Sequence, residues 1–596
     1  MQPPPGRNEV VLRNRDRGHA TSLRPPPQKP AGFILSLSKD EPIMALSSYA
    51  HGASPVPLLG ETIGDNLDRV ARRFPGNDAV VSVHQGRRLT YAEFAAETDR
   101  LAKAFIAAGV EHGERVGIWS PNSLEWILAQ YATAKAGAIL VNVNPAYRLS
   151  ELEYALRQSG VSTLITLDRY KTSEYLAMVR EVRGSLPALR EVVIAGETPP
   201  ESGETSWDDY VARAGSCDDA TLAERKARCQ FDEPINIQYT SGTTGFPKGA
   251  TLSHHNILNN GFFIGEGCRY SEIDRVCIPV PFYHCFGMVL GNLACTTHGA
   301  AIVIPNWTFD PELTLEAVAK ETCTSLYGVP TMFIAELALP NFKEYDLGTL
   351  RTGIMAGSPC PVEVMKRVQS EMHMPEVTIC YGMTETSPVS TQTMTDDPLE
   401  KRTGTVGRVH PHIEVKIVDG DGGILPRDTP GELCTRGYSV MLGYWENAEA
   451  TAGAIDAARY MHTGDIAVMD ADGYVNISGR IKDMVIRGGE NVYPREIEEF
   501  LYTHPAVKDV QVIGVPDERY GEELCAWVIV NDGAEADEQQ IKDYCKGQIA
   551  HYKIPRYVMF VDGWPMTVSG KVQKYKMRET SIEKLGLENA AKIVTA

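Results

Sequence analysis

The sequence predicts an α/β protein, with a large N-terminal domain of βαβ-type sheets and a β-rich section, then a small α+β C-terminal domain. Three observations carry that reading. From about residue 58, short apolar strand-like runs alternate with helical stretches, the pattern of parallel sheets with crossover helices. After roughly residue 411 the runs become strands joined by Gly/Asp turns. Beyond residue 479 a shorter helix–strand–strand–helix pattern follows.

Taken in order, residues 1–43 stand apart, with Pro at 3–5 and 25–27 and five arginines before Pro25. They read as a disordered extension or a misassigned start, with Met44 as the alternative first residue. Residues 62–74 and 90–108 place apolar side chains at helical spacing behind a Thr start. Strand-like runs occupy 115–119, 138–143, 163–167, 191–195 and 301–304. Strands are expected at 415–418, 431–436 and 474–477, a helix over 494–503, strands at 507–515 and 524–530, and a helix over 538–549. The expected division is 44–481 and 482–596. No short period repeats, which argues against a solenoid.

With 596 residues, of which 43% are hydrophobic and 23% charged, the chain has the composition of a globular protein. A net charge of −19 argues against a nucleic-acid coat or a tight partner of anionic lipid. Twelve cysteines, scattered from Cys217 to Cys545 without a CxxC pair, read as reduced thiols in a cytoplasmic setting. No apolar run reaches the length of a membrane span.

The run from Tyr239 to Gly249 concentrates chemistry: Thr240, Ser241, Gly242, Thr243, Thr244, then Lys248, just after a strand-like segment. Five hydroxyls, three glycines and a lysine make an anion cradle, because glycine lets backbone N–H groups approach closely and lysine adds a point charge. It is not a Walker A loop, since Pro247 precedes Lys248 and Gly249 follows it. This loop resembles the signature of the adenylate-forming (AMP-binding) enzymes, and the resemblance runs from about residue 58 to 580 through several ordered motifs.

What the resemblance implies is specific. In Tyr381-Gly-Met-Thr-Glu-Thr386, Tyr381 would stack on adenine, Thr384 would contact phosphate and Glu385 would hold Mg²⁺; unaided, a Thr-Glu pair reads as a turn or cap. Gly357, Ser358 and Pro359 would line the other face of the base. In residues 460–465 and 479–483, Asp465 would bind ribose, Arg480 would neighbour it and Lys482 would be the hinge; unaided, each reads as a surface turn. Lys571, on a Ser-Gly turn, would be the adenylation lysine, and Gly488, Gly489 and Glu490 would meet the pantetheine arm. The small domain would then be a mobile lid that serves two half-reactions in turn. ATP, Mg²⁺ and coenzyme A are the implied cofactor and co-substrates.

For the acid, the run from Phe282 to Met288 is apolar and aromatic around His284. Composition alone reads it as a core strand or helix with a satisfied histidine. The resemblance implies instead that His284 flanks the substrate carboxylate, with residues 328–333 as wall. That wall offers no basic partner for a second carboxylate, so a monocarboxylic acid is expected, most similar to the medium-chain fatty acid branch. Aryl-acid CoA ligation and carrier-protein loading are the alternatives, and the expected state is a monomer or homodimer.

Overall fold

The structure, a computed structural model, describes residues 46–240, 247–358, 360–487, 490–517, 519–546, 548–549, 551–566 and 572–592. The first two helices begin where their caps dictate. Thr62 accepts from the Asp65 N–H at the start of Ile63–Arg73. Thr90 and Glu93 form a reciprocal capping box before Tyr91–Ala107. Each cap satisfies an orphan backbone donor, a contribution of about 1 kcal/mol.

Two large sheets form the body. One has parallel strands Arg115–Trp119, Ile139–Asn142, Val161–Thr166 and Glu191–Ile194, continued by Pro234–Thr240. The chain then returns antiparallel as Lys248–Ser253. The other sheet aligns Ala301–Ile304, Arg275–Cys277, Ser325–Gly328, Thr352–Ala356 and Glu376–Gly382 as parallel neighbours. These strands are buried along most of their length, as fits strands covered on both faces. In the helix Leu124–Ala136 every residue except Glu125 is buried, as expected of a helix enclosed on all sides. Its Lys135 is tolerated there because Asp68 and Asp99 lie 2.7 and 2.6 Å from Nζ.

The β-rich section is an antiparallel sheet of Tyr49–His51, Ile413–Val418, Gly431–Gly437, Met461–Met469 and Val475–Arg480. A short turn, Ile481–Asp483, leads to a separate sheet built from Val485–Arg487, Glu490–Val492, Val507–Asp517, Gly521–Val530 and Tyr557–Phe560. That sheet has its own core around Ile497, Leu501, Val510 and Ile541. Arg495 reaches back, donating to the Ile477 carbonyl at 3.0 Å.

Two expectations are corrected. The helix expected over 538–549 stops at Cys545, where Lys546 turns extended (φ −63°, ψ 127°). Residues 282–288 are neither a core strand nor a regular α-helix. They turn through Tyr283 and His284 into the wide π-helix Phe286–Leu293, a geometry found mostly at functional sites.

Candidate active site

The strand Glu376–Gly382 ends at a mouth lined by polar side chains. Gly382 is required there: a Cβ would stand 1.7 Å from the Pro388 carbonyl oxygen. The following turn, Thr384–Thr386, is pinned by the Thr386 hydroxyl, which meets the Met383 N–H at 3.1 Å and donates to the Pro388 carbonyl at 2.5 Å. This turn sets Thr384 half-buried and Glu385 buried.

Glu385 Oε1 accepts from the Tyr444 hydroxyl at 2.8 Å and from the Thr240 hydroxyl at 3.3 Å. Both hydroxyls use the same oxygen, Oε1. The Lys248 ammonium lies 5.2 Å from the centroid of the Tyr444 ring, within cation–π range. Burial, then the Glu385 charge, raises the Tyr444 hydroxyl well above the usual phenol range, which keeps it a donor. One corner thus gathers a cation, a carboxylate and two hydroxyls from four separate segments.

A second cluster adjoins it through Tyr381, which donates to Asp465 Oδ2 at 2.7 Å. Asp465 and Arg480 are direct partners across the antiparallel pair Met461–Met469 and Val475–Arg480, and Arg480 Nε lies 3.2 Å from Asp465 Oδ1. Register alone therefore delivers the pair. Thr463 donates to the Leu433 carbonyl at 2.7 Å and accepts from the Asp465 N–H, which fixes the turn. Asp465 is buried and Arg480 exposed. Gly357, next to Ser358, sits at φ +90°, a left-handed conformation that favours glycine.

The third element is an aromatic floor. Phe286 stacks on Tyr327, with centroids 5.8 Å apart. Tyr327 donates to the Leu290 carbonyl at 2.9 Å and locks the π-helix from below. Gly287 packs so closely that a Cβ would stand 2.4 Å from the Pro281 oxygen. His284, half-buried, lies beside the Tyr283 ring at 4.6 Å.

The structure brings together Thr240, Lys248, Tyr381, Glu385, Asp465 and Arg480. Lys482 lies in the exposed turn after Arg480. Ser241, Gly242, Thr243, Thr244, Pro359, Gly488, Gly489 and Lys571 lie outside the described residues, and of Glu490 the strand Glu490–Val492 is described. Sequence reasoning missed Tyr444 as a partner of Glu385. No local signal marks it, since the contact spans 59 positions.

Known proteins resemble this chain over most of its length. Residues 67–445 match the AMP-binding enzyme family and residues 496–571 its C-terminal domain. The chain is 51% identical over 547 residues to YngI of Bacillus subtilis (strain 168), whose name carries acyl-CoA synthetase; the match covers 89% of this chain and 99% of YngI. It is 44% identical over 557 residues to medium-chain acyl-CoA ligase ACSF2, mitochondrial, of Danio rerio, covering 91% of this chain and 92% of that protein. The crystal structure of the anthranilate CoA ligase AuaEII in complex with anthranoyl-AMP superposes with a TM-score of 0.81 at 29% identity, covering 89% and 99% of the two chains. No helix among the described residues is long and apolar enough to cross a membrane. With a family match spanning more than half its length and a relative 51% identical over 547 residues, the chain belongs to the AMP-binding family of adenylate-forming enzymes, among its acyl-CoA synthetases.

Proposed function

We propose that this AMP-forming synthetase activates a medium-chain fatty acid, first as the acyl-adenylate and then as the CoA thioester. The observation that carries the proposal is the convergence of Lys248, Thr240, Tyr444 and Glu385 beside Tyr381, Asp465 and Arg480. Such a mouth can grip a nucleotide at both its ribose and its phosphates. The apolar floor around Phe286 and Tyr327 and the medium-chain relatives both support the fatty acid.

The first step forms a bond between a carboxylate oxygen and the α-phosphorus and breaks the bond to the β-phosphate bridge, releasing pyrophosphate. Two anions meet, so the barrier is chiefly electrostatic. Lys248 and the 240–244 loop would hold phosphate oxygens, with Thr384 contacting the same group. Asp465 would accept from the ribose hydroxyls, Arg480 would steady that carboxylate, and Tyr381 would cover adenine opposite residues 357–359. The Glu385 carboxylate would suit Mg²⁺, a cation that takes one or two carboxylates plus phosphate oxygens and would neutralise charge there. Lys571 would place an ammonium on the leaving oxygens, and His284 would orient the attacking carboxylate.

In the second step the CoA sulfur attacks the acyl carbon and AMP leaves with the adenylate oxygen. The body would bind the acyl adenylate throughout, while the part after Lys482 would exchange Lys571 for residues 488–490. Two assays test the scheme. Lys571→Ala should suppress exchange of pyrophosphate into ATP, and exchange at the wild-type rate rejects that role. A panel of acids assayed for CoA thioester should rank medium-chain fatty acids first; aryl acids ahead of them reject the substrate assignment.

A further inference from the structure

The outer face of the sheet that carries Asp465 holds a second constellation that the ligase chemistry does not use. Glu432 and Cys434 are two residues apart on Gly431–Gly437, so their side chains share a face. His462 is the direct partner of Cys434 across the antiparallel pair with Met461–Met469. A register shift between Glu432 and Cys434 draws the Glu432 carboxylate toward the same point. One donor atom from each of the three side chains falls within 4.8 Å of the others. Nδ1 of His462 is the common vertex, 3.5 Å from Cys434 Sγ and 2.8 Å from Glu432 Oε2.

We infer that Glu432, Cys434 and His462 form a binding site for a thiophilic divalent cation of the zinc class. Tetrahedral zinc with sulfur, nitrogen and oxygen ligands sets those donor atoms about 3.2–3.6 Å apart. The sulfur–nitrogen spacing already matches, and the nitrogen–oxygen spacing needs to open by a few tenths of an ångström. One thiolate, one imidazole and one carboxylate, with a fourth position left to water, is a donor set that selects zinc over magnesium or calcium. A carboxylate able to orient the imidazole lies nearby. Asp456 Oδ2 lies 3.8 Å from His462 Nε2, on the far side of the ring from the ligand nitrogen. An approach of about an ångström would let it accept from Nε2–H and leave Nδ1 for the metal. Cys434 is buried, whereas His462 and Glu432 are half-buried, so a cation can enter from solvent and meet the thiol below. Binding is balanced as the metal ion plus the Cys434 thiol giving the metal thiolate plus one proton released to solvent.

The site is coupled by structure to the nucleotide mouth. Glu432 Oε1 accepts from the Gly464 N–H at 3.0 Å, one residue before Asp465. A cation that takes up Glu432 therefore pulls on the turn that presents Asp465.

The test is a titration of the full chain, stripped with chelator, with Co²⁺ as spectroscopic substitute for Zn²⁺. The expected result is a near-ultraviolet thiolate-to-cobalt charge-transfer band that saturates at equimolar metal and is bleached by Zn²⁺. Cys434→Ser should abolish the band with an unchanged circular dichroism spectrum. Asp456→Asn, which removes no ligand, should keep the band but weaken the affinity about tenfold, the typical cost of losing a partner that orients a ligand. Absence of the band, its survival in Cys434→Ser, or undiminished affinity in His462→Ala each overturns the site. A circular dichroism change in Cys434→Ser passes the decision to the His462→Ala and Asp456→Asn titrations.

Discussion

Two carboxylates buried in the same body show opposite uses of burial. Glu385, at a strand end, is 5% exposed and receives two hydroxyl donors from Tyr444 and Thr240. Glu336, in the helix Pro330–Leu337, is 1% exposed, and neither of its oxygens finds a partner among the described residues. Burial alone raises the Glu336 carboxyl well above its usual range. Its helix neighbours Phe333 and Leu337 both belong to the apolar core. The difference teaches that depth does not mark an acid as functional. Hydroxyl donors meet the Glu385 carboxylate at the strand end, whereas burial without a donor favours the neutral form of Glu336.

The comparison can be broken first at Glu385. Glu385→Gln keeps an acceptor for Tyr444 but removes the charge, so pyrophosphate exchange should fall about a hundredfold with little change in Tm. A variant that retains wild-type exchange would end the proposed role of this acid.

The next effect belongs to Glu336. Its folded pKa is raised, so its contribution to stability is fully present below the unfolded value near 4.5 and is lost as pH climbs toward the folded value. The loss runs at about 1.4 kcal/mol per pH unit over that window. Glu336→Gln is neutral in both states and escapes the loss. Thermal scans should therefore find it more stable than wild type around pH 8 and equal around pH 4. Equal stability at both would mean that Glu336 is charged and paired after all.

Smaller effects sharpen the contrast on the mouth side. Asp465→Asn should raise KM for ATP about tenfold while sparing kcat, since a charged acceptor for hydroxyls is worth roughly 1.5–3 kcal/mol. A fall in kcat at constant KM would assign Asp465 to the chemical step instead. Tyr444→Phe leaves the ring under Lys248 but deletes the donor to Glu385 Oε1. A loss of about fivefold in pyrophosphate exchange is expected, about 1 kcal/mol, because Thr240 still donates to the same oxygen, and no loss would show that Thr240 suffices.

Much of this molecule was legible in residue order. Thr62 and Thr90 start helices because a hydroxyl at that position satisfies a free backbone donor, a rule confined to four residues. Strand runs such as 116–119 and 301–304 are buried throughout and carry no charged or polar side chain, because both faces are covered. The run from Tyr239 to Gly249, proposed to hold phosphate, announces itself because its chemistry is contiguous. The misjudged pieces were local too: the π-helix Phe286–Leu293 has no distinctive spacing, and Tyr327, which donates to its Leu290 carbonyl, comes from a distant strand.

The sequence by itself determined the family, the order of the elements and the identity of the polar residues available to the mouth. Only the tertiary structure decided which of them meet. Tyr444 reaches Glu385 across 59 positions, Tyr381 reaches Asp465 across 84, and Thr240 reaches Glu385 across 145. Cys434 faces His462 through strand register. Helix caps and apolar runs depend on neighbours within a turn or a strand and can be read along the chain. Strand pairing and convergence on a cleft depend on which surfaces are buried together, and no stretch of sequence contains that information alone.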